Sequence, residues 1–141
     1  GYVVGGNGSA ADIVGVLNGI FFNAADTNKP TFSNFYKATI TPANSEDTTA
    51  FVMDDPFQQY VVSTDDARTQ AQFLATYDMN SSAGSDTTGK SSSTLDTSVT
   101  DANGKQFRLL RTAEDPENED ITAAFFSGIV VSNTNSFNGH N

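Results

Sequence analysis

In 141 residues there is no cysteine, which excludes a disulfide framework, a cysteine nucleophile and any thiolate metal site. The formal charge is −10, from seventeen acidic and seven scattered basic side chains. That argues against nucleic acid as a direct partner, because phosphate binding needs clustered Lys and Arg. The longest apolar runs fall far short of the roughly 20 residues that cross a bilayer as a helix, so no membrane partner is expected.

In chain order, the first apolar stretch is Tyr2-Val3-Val4, which already reads as a strand at Gly1. This points to a missing segment ahead of it, with residues 1–12 as an N-terminal arm able to add a strand to a neighbour. The glycine-rich Gly5–Asp12 lacks the Lys-Ser/Thr and the helix of a phosphate loop and reads as a turn. Ile13–Phe22 reads as a strand whose Gly15 and Gly19 mark a bend, a bulge or a close backbone neighbour. Asp26, Asn28 and Pro30 then make a turn. Further strands are expected at Asn34–Ile40, Ala50–Met53 and Gln58–Ser63. Asp54-Asp55-Pro56 sits between the last two as a corner, with Pro56 denying the ladder a donor.

Two acids followed by good helix formers in "DDARTQAQFLATY" allow one short helix near Ala67–Leu74, with Ala67, Ala71, Leu74 and Ala75 on one face. The Ser/Thr/Gly stretch after Met79 is too polar for a core and reads as a surface loop. Ser93–Thr97 and Lys105–Arg111 flank Asn103-Gly104, the strongest short hairpin signal, so these two segments are expected to pair. A last strand spans Thr122–Ser132. Short apolar runs separated by turn residues throughout predict an all-β fold, an antiparallel barrel or sandwich, in a single β-rich domain over residues 1–141.

Reactive chemistry is poorly provided for. His140 is the only histidine and stands beside the end of the sequence. No nucleophile elbow occurs, and no cofactor motif. Neighbouring Asp54 and Asp55 point to opposite faces if extended, which makes them a poor acid–base pair. The run Glu114–Asp120 is rich in hard oxygens, but neither acidic loop has a calcium-ligand spacing, and a solvated acidic turn is the simpler reading. Either Arg108 or Arg111 is placed to pair with that run.

Four segments follow one another in a characteristic order: Gly15–Tyr36, "AFVMDDPFQQYVV", Ser85–Asp96 and Phe107–Asp120. The most specific parts are Asn18-Gly19-Ile20-Phe21-Phe22 with Lys29-Pro30-Thr31-Phe32-Ser33-Asn34, and the Asp54-Asp55-Pro56-Phe57-Gln58 corner. From Gly15 onward the chain resembles capsid-associated proteins of tailed bacteriophages, of the head decoration or cement type, especially those of marine phages. The resemblance implies a β-rich virion protein on the outer capsid surface. Its partners would be the major capsid protein and further copies of itself, and it would have no cofactor and no catalytic residue. Another virion β domain of tail or fibre, or an extracellular module binding carbohydrate or calcium, is the alternative. Aromatic side chains next to turns suit either an interface or the core. Tyr2, Phe32, Phe35, Tyr36, Phe57 and Tyr60 are the interface candidates.

Overall fold

The computed structural model describes residues 13–36, 40–44, 48–82, 84–101 and 105–133. The described residues are nearly all β, with eight strands among them in two antiparallel sheets. The arrangement is consistent with a sandwich and is not a closed barrel. Tyr2, His140 and the proposed N-terminal arm lie outside the described residues.

The first sheet has β1 (Val16–Asn23) in the middle, flanked by β2 (Pro30–Ser33) and β3 (Thr49–Met53). The expected turn joins β1 to β2. Asn28 takes a left-handed conformation at φ 51°, and its N–H donates to the Ala24 carbonyl at 2.8 Å. Pro30 begins an edge strand, where its missing donor costs the ladder least. Gly19 in β1 and Gly15 just before it behave as the sequence suggested. The β1–β3 register slips between Leu17 and Gly19, and a Cβ on Gly15 would lie 2.0 Å from the Met53 carbonyl oxygen. The strand expected at Asn34–Ile40 begins instead at Pro30 and ends at Ser33, where the Ser33 hydroxyl closes a local turn with the Phe35 backbone. Residues 37–39 lie outside the described set.

The Asp-Asp-Pro segment is the corner that carries the chain from β3 in one sheet to β4 (Gln59–Ser63) in the other. Asp55 builds it twice over. Its side chain accepts the Phe57 N–H at 2.9 Å, and its carbonyl accepts the Gln58 N–H at 3.2 Å.

The second sheet also contains β5 (Thr76–Asn80), β6 (Thr94–Asp101), β7 (Phe107–Thr112) and β8 (Ser127–Ser132), in the order β4-β8-β7-β5-β6. Its core is Tyr77, Leu95, Phe107, Leu109, Phe126 and Val130, with Phe73, Val62 and Ile121 packed against it. The sheet curls until its two edges touch. Thr64, just past β4, forms a parallel bridge with Leu95 of β6. Asp65 fastens that seam: its N–H donates to the Leu95 carbonyl at 3.2 Å, and its carboxylate accepts the Thr97 N–H at 2.9 Å and the Thr97 hydroxyl.

Three expectations are corrected here. The segments around Asn103-Gly104 do not pair, because β5 lies between β6 and β7: Thr76 faces Asp101 on one side and Arg108 on the other. At the start of β5, the Lys105 N–H donates to the Thr76 hydroxyl at 3.0 Å. The short helix near Ala67–Leu74 is reduced to one 3-10 turn, Gln70–Gln72. Tertiary contacts outweigh its propensity. Phe73 turns extended and packs beside Phe126, and Leu74 is left-handed at φ 69°, donating to the Leu109 carbonyl at 2.8 Å. The same segment supplies β5, which the sequence reading did not anticipate, and the last strand starts at Ser127 rather than Thr122.

Candidate interaction surface

The outer face of the first sheet is the most distinctive surface of the described residues. Pairing sets its composition. Phe21 faces Phe32 on β2 and Thr49 on β3, Gly19 faces Phe51, and Val16 faces Met53. Cross-strand partners share a face, as do residues two apart on a strand. Phe21, Phe32, Phe51, Val16 and Met53 therefore stand on one side. Buried Ile20 and Phe22 stand on the other, with half-buried Ala50 and Val52.

Gly19 is the platform for the aromatic cluster. A Cβ there would lie 2.5 Å from the Phe32 Cζ, so the ring rests on bare backbone. Phe32 and Phe51 meet above it with ring centroids 6.2 Å apart and planes tilted by 52°, within the favourable range for aromatic pairs. Yet the cluster is not covered: Phe32 is 60% exposed, Phe51 48% and Phe21 39%. A ring offers on the order of 200 Å², so these three leave roughly 300 Å² of apolar surface in water. Contiguous apolar patches of that size on a folded surface often mark interaction sites. Moreover, none of the residues of β1, β2 or β3 is ionisable, in a chain carrying −10.

The sequence-derived candidates divide around this face. Phe32 lies at its centre. Phe57 is 80% exposed at the Asp-Asp-Pro corner. Tyr36 is exposed and lines, with Phe35 and residues 84–86 and 89–91, a shallow, open cleft of about 180 Å³, smaller than a usual ligand pocket. Phe35 is half-buried with its ring against Gly89, and so packs on its own chain. Tyr60 is half-buried against the second core, its hydroxyl reaching the Met53 carbonyl at 3.4 Å. Burial first, then Asp55 and Asp54, raise its pKa above the ordinary 10.0. Phe21 and Phe51 were not among the candidates, because nothing local in "GIFF" or "AFVM" tells which side each ring takes until the pairing shows it.

Around the acidic loop, the carboxylates are engaged locally. Asp115 accepts the Asn118 amide at 2.9 Å and the Glu117 N–H at 3.2 Å, which hold its pKa below the usual carboxylate value. Asp120 is lowered likewise by the Thr122 hydroxyl and N–H. Arg111 pairs with Glu114 at 3.0 Å, while Arg108 reaches the Leu74 carbonyl and Asn133. Among the described residues no three His, Cys, Asp or Glu side chains converge as a metal site, and no helix is long and apolar enough to cross a membrane. Comparison with models of known protein families, with curated proteins and with solved structures returns no match.

Proposed function

We propose that this chain is a virion structural protein of a tailed bacteriophage, of the head decoration type, which binds the outer capsid surface and stabilises contacts between major capsid subunits. The observation that carries the reading is the charge-free aromatic face built on Gly19. The motif that resembles the decoration proteins, Asn18 to Asn34, forms the strands and turn that create this face. The second resembling motif, Asp54 to Gln58, forms the corner that presents Phe57. What the resemblance marks is therefore an outward-facing surface rather than a pocket.

The mechanism is adhesion. A module seated across a junction buries apolar surface there and stabilises the assembled state by mass action. Packaged DNA pushes capsid subunits apart, and many weak copies on a symmetric lattice resist it through avidity. No step needs a nucleophile, metal or cofactor. Cross-linking of intact particles with mass spectrometry tests the reading. Links from Lys29 or Lys90 to the major capsid protein are expected. Links confined to tail or fibre proteins, or absence of the chain from purified particles, would contradict it.

A further inference from the structure

We infer that the aromatic face of the first sheet is an isologous contact on which a second copy of this chain docks, face to face, about a two-fold axis. The inference rests on the adhesive reading above and specifies which surface meets which partner.

Charge selects the occupant. A basic partner would be met best by the carboxylates that this protein carries elsewhere in abundance, such as Glu114–Asp120. The face formed by β1, β2 and β3 carries none. A surface cleared of acids is suited to meet a body that is equally acidic, and another copy at −10 is such a body. The face is also self-complementary in kind. Rings from Phe21, Phe32 and Phe51 form a ridge over Gly19, and two sheets bearing aromatic ridges can offset and interdigitate.

Charge also chooses between the two ways of stacking such faces. With the partner's strands running the same way, the two Asp54-Asp55 corners would meet. With them antiparallel, each corner lies toward the end of the partner copy that holds the β1–β2 turn, where Asp26 and Lys29 cancel, so the two acidic corners stay apart. The second arrangement is the one inferred. The area sets the strength. Two patches of roughly 300 Å² from the rings fall short of the roughly 1,200 Å² of a stable complex. The isolated dimer is therefore weak, and becomes firm where a lattice holds copies side by side.

Sedimentation equilibrium of the full chain tests this, up to about 1 mM protein, at roughly 0.05 and 0.5 M sodium chloride. Association is expected, and it strengthens with salt, because salt screens the repulsion between two acidic bodies while leaving the apolar contact. Thr49→Glu puts a charge beside Phe21 at an exposed position and is expected to weaken association at least about tenfold. Phe32→Asp does the same, and Val61→Asp, at an exposed position on β4 of the second sheet, leaves association unchanged. Circular dichroism confirms that each variant is folded.

A monomer at every concentration and both salts would overturn the inference. So would association that weakens with salt, survives Thr49→Glu, or is lost in Val61→Asp. The two claims fail separately. A chain that dimerises through this face yet leaves capsids unbound removes the decoration role, and one that binds capsids but stays monomeric removes the dimer.

Discussion

Gly19 is the residue on which the proposed surface depends. Its missing side chain lets the Phe32 ring lie flat on β1, where a Cβ would approach to 2.5 Å. Gly19→Val is expected to lift that ring, separate it from Phe51 and destabilise the protein by about 2 kcal/mol, read by urea denaturation. The glycine was legible in the sequence as a bulge or close approach. What pressed on it was not, because Phe32 meets Gly19 only through the β1–β2 register. Tyr60 makes a second prediction at this scale. Its raised pKa means the phenol form is favoured in the folded state, so its contribution to stability is complete below pH 10 and is lost as pH rises through the folded value. Asp55→Asn keeps the acceptor for the Phe57 N–H but removes one source of the shift. The variant should titrate Tyr60 nearer pH 10 in an NMR titration, and its alkaline loss of stability should span a narrower pH window. A Tyr60 titration unmoved by the substitution would contradict this assignment.

Among elements, the seam between β4 and β6 matters most to the second sheet. Asp65 ties the loop after β4 to Leu95 and Thr97 through three hydrogen bonds, two of them to its carboxylate. Asp65→Ala is expected to cost about 2 kcal/mol, since hydrogen bonds to a charged group are among the stronger ones. Hydrogen exchange should speed up at Leu95 and Thr97 while Val130, in the core, stays protected. Uniform loss of protection would show that the seam is not a separate unit. Lys105 gives the next test. It pairs with mostly buried Asp78 at 3.0 Å, linking the start of β7 to β5. Lys105→Met should destabilise by about 3 kcal/mol by stranding that carboxylate, and adding Asp78→Asn should recover part of the loss. Most strands were legible from composition and turn residues, and the β1–β2 turn from Asn28 and Pro30. The helix was misread because Phe73 packs beside Phe126 in extended form and Leu74 turns left-handed onto the Leu109 carbonyl, and the Asn103-Gly104 hairpin because of β5. Its residues Thr76–Asn80 carry weak local signals, and they become a strand because β6 and β7 supply ladders on both sides. Nothing local reports that.

Taken as a whole, the described residues place most acids in loops and corners, with Asp78, Asp96 and Asp101 in the second sheet, and the exposed aromatic ridge on a sheet whose strands hold no ionisable group. Composition alone made a surface-acting protein the sensible expectation, by removing nucleophiles and metal motifs from consideration. The location of the proposed surface needed the register, because the same aromatic run places Phe21 outward and Phe22 inward. Particle stability tests the central claim most directly. Capsids assembled without this protein should release their DNA at a lower temperature than complete particles. Adding back the purified chain should restore the loss, whereas the Thr49→Glu variant should restore it only in part. If particles without the chain withstand heating as well as complete ones, or if added chain sediments apart from them, the adhesive account is wrong.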